Sequence, residues 1–493
     1  MSLINVENLT FSYDGSYDYI FENVSFHIDT QWKLGFIGRN GRGKTTFLKL
    51  LTGCYEYQGK ISSSEDFGYF PFEIENPDDI SLYVAENICP TMEQWELIRE
   101  LNLLNMDAEI LYRPFSTLSN GERTKFMLAV LFLKENSFML IDEPTNHLDS
   151  EGRKIVSRYL NRKKGFILVS HDRAFLDSCV DHILSINRTD IVIEKGNYSS
   201  WEHNKCLRDK FEISQNVKLK KEIQSLEESA ARASAWSDKT EKGKFGKQSS
   251  GLKADRGFVG HKAAKMMSRS KSMERRKLAA AEEKSMLLKN IEISDSLKIP
   301  CLKFHSPRLV TAEDIGIFYD EQAACSGISF TVEHGERVLL SGVNGCGKSS
   351  ILKLICGENI AYSGNLIINR QLKISYVRQD LSDLSGNLSD FASDSGIDES
   401  LFKAILRKLG FSREQFSKRI ENFSAGQKKK VLIAQSLCTP AHLYVWDEPL
   451  NFIDLDSRQQ IEQLIKEFSP TMLFVEHDLA FQREIATKTV EFD

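Results

Sequence analysis

Two stretches of this chain carry residue types that bind phosphate. Gly38-x4-Gly43-Lys44-Thr45 follows the apolar run Leu34 to Ile37 and precedes an amphipathic helical pattern. Gly342-x4-Gly347-Lys348-Ser349 repeats the arrangement after VLLSG. In a strand–loop–helix setting, Gly38, Asn40, Gly41 and Gly43, and likewise Gly342, Asn344, Gly345 and Gly347, let backbone N–H groups close around an anion. The helix N-terminus behind each loop adds positive potential. Lys44 and Lys348 are expected to reach the β- and γ-phosphates of a nucleotide. The Thr45 and Ser349 hydroxyls are expected to bind Mg²⁺, with Thr46 and Ser350 completing the cradle.

Carboxylates follow at matching distances. FMLIDEP ends a second apolar run in Asp142 and Glu143, and LYVWDEP does the same with Asp447 and Glu448. An Asp at such a strand end can hold Mg²⁺, and the adjacent Glu is placed to polarise an attacking water. A third apolar strand in each half runs into His171 and His477, where an imidazole could touch the γ-phosphate. Ser119 with Gly121, and Ser424 with Gly426, each precede a helical stretch. These read either as a second anion-binding helix start or as ordinary helix caps.

The elements that must position these residues repeat at domain scale. Lys44 and Lys348 lie 304 positions apart, so the chain contains an internal duplication rather than a short-period solenoid. Each half is expected to be an α/β unit with a mainly parallel sheet and a helical subdomain. The boundaries read as 1–203, 204–292 and 293–493. No run of about 18 apolar residues suggests a membrane span. The start has no secretory pattern, and the nine cysteines are scattered singly, which fits a reducing cytoplasm.

The ordered set GRNGRGKT, LSNGE, LIDEP, NHLD and VSHD, repeated as GVNGCGKS, FSAGQ, VWDEP, FIDLD and VEHD, resembles the nucleotide-binding domains of ABC-type ATPases. The resemblance implies ATP and Mg²⁺ as cofactors. It implies that Tyr13 and Tyr319 stack on adenine and that Ser119, Gly121, Ser424 and Gly426 belong to signature motifs. Asp149 and Asp454 would lie in D-loops, with His171 and His477 as switch histidines. Such domains work head to tail, implying an intramolecular dimer in a monomeric chain. One composite site would join Lys44, Asp142, Glu143 and His171 to Ser424 and Gly426; the other would join Lys348, Gln379, Asp447, Glu448 and His477 to Ser119 and Gly121. Gln379 is an expected Mg²⁺ ligand, but Phe72 stands at the equivalent place in the first half. Phenylalanine can neither ligate a metal nor orient water, so the first site is expected to be the slower one.

Between the halves lies a basic segment. Residues 204–290 carry 22 Lys or Arg against 11 Asp or Glu, a net of +11; the whole chain carries −5, leaving −16 elsewhere. Apolar residues at 207, 211, 217, 223, 226, 230 and 233, and again from Ala263 to Ile291, suggest two antiparallel helices reaching about 50 Å. Five glycines interrupt the tip, residues 243–260. There Lys244, Phe245, Lys247, Lys253, Arg256 and Phe258 interleave charge with aromatic rings, a pattern suited to RNA contact by phosphate pairing and base stacking. Two fused ATPase domains joined by such a hairpin resemble the ABC-F translation proteins, in particular the antibiotic-resistance branch of the Lsa and Vga type. That resemblance implies binding at the exit-tRNA site of the 70S ribosome, contact with large-subunit rRNA and displacement of the P-site tRNA. It further implies ejection of lincosamide, pleuromutilin and streptogramin A drugs. A housekeeping factor that rescues stalled ribosomes is the alternative, followed by the ATPase subunit of a membrane transporter.

Overall fold

The computed structural model describes residues 2–13, 19–146, 148–186, 191–242, 268, 272, 276, 301–319, 322–413 and 415–492. The chain divides into two compact units, Met1–Trp201 with Ser296–Asp493, and Glu202–Asp295. The first half opens with β1 (Leu3–Phe11), β2 (Phe21–Asp29), β3 (Lys33–Ile37), α1 (Lys44–Leu51), β4 (Gln58–Ser62) and β5 (Asp66–Phe70). Helices α2 (Ser81–Ile88), α3 (Gln94–Leu103) and α4 (Asn120–Leu131) follow. Then come β6 (Ser137–Asp142), α5 (Ser150–Asn161), β7 (Phe166–Val169), α6 (Arg173–Cys179), β8 (His182–Ile186), β9 (Ile191–Lys195) and α7 (Tyr198–Lys242).

The second half repeats the order. It begins with β10 (Arg308–Tyr319), β11 (Gln322–Glu333), β12 (Arg337–Ser341), α8 (Lys348–Ile355), β13 (Tyr362–Ile368) and β14 (Ile374–Val377). Helices α9 (Leu388–Asp394), α10 (Glu399–Lys408) and α11 (Ala425–Cys438) follow. It closes with β15 (Leu443–Asp447), α12 (Leu455–Phe468), β16 (Met472–Val475), α13 (Leu479–Ile485) and β17 (Lys488–Glu491).

The main sheets run β5-β6-β7-β3-β8-β9 and β14-β15-β16-β12-β17; only the β8–β9 pair is antiparallel. Smaller antiparallel sheets, β2-β1-β4 and β11-β10-β13, accompany them. The strands of a sheet covered on both faces must be apolar throughout, and their side chains divide between two cores by alternation. Along β6, Phe138 and Leu140 enter one core while Met139 and Ile141 enter the other. Along β15, Leu443 and Val445 face one side and Tyr444 and Trp446 the opposite side. The strand order sets the P-loop strand two places from the strand ending in Asp142 or Asp447, with the histidine-bearing strand between them. All three chemistries therefore gather at the carboxyl ends of neighbouring strands.

Helix α7 begins at Tyr198, upstream of the basic stretch. Tyr198 is buried and Trp201 packs beside the first half's core, so the first turn has an apolar anchor there. Leu207, Phe211 and Val217 on the same helix are exposed. Arm-tip residues Lys244, Phe245, Lys247, Lys253, Arg256 and Phe258 lie outside the described residues, as does most of the expected return helix. Residues 268, 272 and 276 of that return are helical.

Candidate nucleotide sites

In the first half, β3 delivers the loop that starts α1. Gly43 caps this helix with φ +88°, and a Cβ there would lie 2.4 Å from the Ile20 side chain, so conformation and space both require glycine. Lys44 Nζ donates to the Gly38 carbonyl at 2.6 Å and lies 3.3 Å from Asn40 Oδ1. The Thr45 hydroxyl donates to Asp142 Oδ2 at 2.7 Å, and the Tyr69 hydroxyl reaches the same oxygen at 3.2 Å. The Tyr13 hydroxyl lies 2.8 Å from Thr46 Oγ1, and the residue is 42% exposed beside the loop, its ring in T-shaped contact with Phe11 and Tyr55. The second half matches it. Lys348 Nζ donates to the Gly342 carbonyl at 2.8 Å, Ser349 Oγ donates to Asp447 Oδ1 at 3.0 Å, and the Tyr319 hydroxyl donates to Ser350 at 2.9 Å.

The glutamates sit on strained backbone. Glu143 and Glu448 have φ +52° and +45°, and each backbone N–H donates to the neighbouring strand, to Val169 O and Val475 O respectively. Left-handed non-glycine residues are uncommon and gather at functional sites. The histidine-bearing turns are held by a common device. Arg153 pairs with Asp172 at 2.8 Å and donates to the Leu148 and Thr145 carbonyls, while Arg458 pairs with Asp478 at 2.7 Å and donates to the Ile453 and Leu450 carbonyls. Sequence reading passed over these arginines. Their equal placement after the two D-loop aspartates was the signal available.

Electrostatically the halves differ. Burial, with Asp142 alongside, pushes the Glu143 carboxyl up to about 8, and His171 Nε2 lies 3.3 Å from its Oε1. Burial, joined by the nearby Lys44 and Arg458 charges, holds His171 well below the usual imidazole range. Burial also lowers the Lys44 ammonium, against the pull of Glu143, Asp454 and Asp142. In the second half burial would raise Glu448, but His477, Lys429 and Lys348 outweigh it, and the carboxyl lies below its ordinary value. Glu448 Oε2 accepts from Gln379 at 3.0 Å and from Asn451 at 2.6 Å; the latter donor was not foreseen. Burial carries Asp447 up to about 6, and its Oδ2 is buried without a partner among the described residues. A donor-free carboxylate oxygen beside a serine hydroxyl fits a hard cation that takes oxygen ligands.

Both signature serines cap helices. Ser119 and Ser424 accept from the Glu122 and Gln427 backbone N–H groups in reciprocal capping boxes at the starts of α4 and α11. The two halves of the duplication touch across the first site. Asn40 Nδ2 donates to the Phe452 carbonyl at 2.9 Å, Arg39 lies 3.4 Å from Asp456, and Arg173 pairs with Glu462. A Cβ on Gly426 would lie 3.2 Å from Asn40 Nδ2 and 2.4 Å from the Phe452 carbonyl oxygen, so this glycine permits the approach. The structure thus brings Gly426 to the first P-loop. Among the described residues, no hydrogen bond or ion pair joins Ser119 or Gly121 to Lys348.

Similarity to known proteins agrees with this geometry. The family profile described as ABC transporter matches residues 21–146 and 325–451, just over half of the chain. The ATP-binding protein Uup of Buchnera aphidicola subsp. Acyrthosiphon pisum is 28% identical, covering 100% of this chain and 81% of its own length. The ribosome protection protein VmlR of Bacillus subtilis is 27% identical over 95% of this chain and 83% of its own. Among solved structures, the archaeal ribosome recycling factor aABCE1, in complex with the stalk protein aP1, superposes with TM-score 0.65 at 18% identity, covering 99% of this chain and 87% of that one. The chain belongs to the ABC transporter family, within its ABC-F group, and is a tandem ATPase.

Proposed function

We propose that this ATPase acts on the ribosome, using nucleotide-driven closure of its two halves to work a basic helical arm at the exit-tRNA site. The observation that carries the closure is the contact of Asn40 with the Phe452 carbonyl beside Gly426, which aligns one half's P-loop with the other half's signature glycine. The +11 charge of residues 204–290 supports an RNA target, because neutralised phosphates release counterions. No helix among the described residues is long and apolar enough to cross a membrane.

In the proposed mechanism, the P-loop amides with Lys44 and Lys348 hold the phosphates. Thr45 with Asp142, and Ser349 with Gln379 and Asp447, would hold Mg²⁺, which when bound neutralises the developing phosphate charge. Glu448 accepts a proton from the attacking water, with His477 beside it; Glu143 and His171 stand at the equivalent places in the first half, where the Glu143 carboxyl must first lose its proton to act as a base. Hydrolysis removes the γ-phosphate bridge and the halves separate.

The finer reading is protection of the large subunit: the arm approaches the peptidyl-transferase centre, the P-site tRNA moves, and lincosamide, pleuromutilin or streptogramin A drugs leave. Similarity to a ribosome protection protein along 95% of the chain supports it. The test is co-sedimentation of a Glu143→Gln/Glu448→Gln double variant with 70S ribosomes in ATP, together with inhibitory concentrations in a sensitive host. A variant that stays in the supernatant overturns the ribosomal reading. Ribosome binding with unchanged inhibitory concentrations for all three classes leaves a housekeeping factor.

A further inference from the structure

The duplication supplies an internal control for every position near the two sites. Three residues after the signature glycine, the first half has Thr124 and the second has Lys429. The Thr124 hydroxyl turns back onto its own helix, donating to the Asn120 carbonyl at 3.0 Å. Lys429 is 2% exposed, and its ammonium leaves α11 to donate to the Arg378 carbonyl at 3.0 Å and the Asp447 carbonyl at 3.2 Å. Those carbonyls sit at the carboxyl ends of β14 and β15, adjacent parallel strands that pair Val377 with Trp446. The next residue on one strand end is Gln379, and on the other Glu448, whose side chains meet at 3.0 Å.

Two further positions change in step. Gln379 corresponds to Phe72, which packs on the first half's apolar core, and Glu476 corresponds to Ser170. Glu476 does not bond the ammonium. Its carboxylate accepts from the Leu450 and His477 backbone N–H groups. A buried cation with two backbone acceptors therefore occurs in the half that has a glutamine to place.

We propose that Lys429 is a positioning residue for the second nucleotide site: its ammonium clamps the ends of β14 and β15 and so sets Gln379 against Glu448. The clamp acts on main chain, so it holds the geometry in which the Gln379 amide donates to the Glu448 carboxylate. The first half has neither clamp nor glutamine, and its loop is held by Phe72 in the core instead.

The proposal rests on Glu448 and Gln379 serving hydrolysis, and the experiment separates the two ideas. ATP turnover is measured for the full chain carrying Glu143→Gln, so that the second site dominates. In that background Glu448→Gln must abolish turnover; if it does not, the hydrolytic assignment fails, whatever Lys429 does. Lys429→Thr is expected to lower kcat about tenfold with KM for ATP within about twofold, and Lys429→Arg, which keeps a buried donor, to stay within about threefold. Adding Lys429→Thr to Gln379→Ala should cost little more than Gln379→Ala alone, because both remove one coupled arrangement. The melting temperature of each variant is read beside its turnover, so that loss of fold is told apart from loss of rate. Wild-type turnover in Lys429→Thr, or full additivity with Gln379→Ala, overturns the clamp.

Discussion

Replacing Glu143 by glutamine in the nucleotide-free and magnesium-free chain is expected to stabilise it, increasingly so as the pH rises. The carboxyl is buried beside Asp142, with His171 Nε2 3.3 Å from Oε1, and burial lifts its pKa from 4.5 to about 8. Between those values the folded chain holds a proton that the unfolded chain has released, so stability falls as pH climbs through the window. At about pH 7 the gap is roughly 2.5 units, which at ~1.4 kcal/mol per unit is about 3 kcal/mol. For a half of about 200 residues with an unfolding entropy of ~2.1 cal/mol/K per residue, the corresponding shift in melting temperature is about 7 °C. Calorimetric scans of both proteins in EDTA, at about pH 6, 7 and 8, should show the variant melting higher and the difference widening with pH. A constant difference, or a variant that melts lower throughout, refutes the buried proton.

Lys44→Ala with Lys348→Ala should abolish ATP turnover, as followed by phosphate release; undiminished release refutes the phosphate-binding assignment. Because Phe72 stands where the second half has Gln379, Glu143→Gln should reduce turnover less than Glu448→Gln in single-variant kinetics, and equal losses would count against unequal sites. Arg458→Ala removes the ion partner of buried Asp478, which keeps the Ala480 and Phe481 backbone N–H donors, and should cost about 3–5 kcal/mol in denaturant unfolding of the second half. Adding Asp478→Ala should return part of that loss, and strict additivity would argue against the pair.

The phosphate loops were legible because their chemistry demands particular residues at particular spacings: a glycine that can take φ +88° at Gly43, then a lysine and a hydroxyl. The parallel strands were legible because burial on both faces leaves only apolar residues, as in Phe166 to Val169. Much of the rest depends on long-range placement that no local pattern encodes. Lys429 is one of three consecutive lysines, and only the fold puts its amine between two strand ends. Asn451 stands between Leu450 and Phe452 with no pattern to mark it, and its amide meets Glu448. The left-handed backbone at both glutamates left no compositional trace. The helix leading into the basic segment starts at Tyr198, because aromatic packing rather than charge decides where it begins.

The bond from Asn40 to the Phe452 carbonyl has a consequence for how this chain can vary. A main-chain acceptor survives almost any change of the side chain that carries it. The stretch Leu450 to Ile453 could therefore drift from the sequence of its first-half counterpart without breaking the contact between the two halves. Position 452 sits at φ +65°, so glycine or asparagine there would leave the same oxygen in place and make the contact look unimportant. Substituting Asn40, or placing any Cβ on Gly426, would reveal it at once.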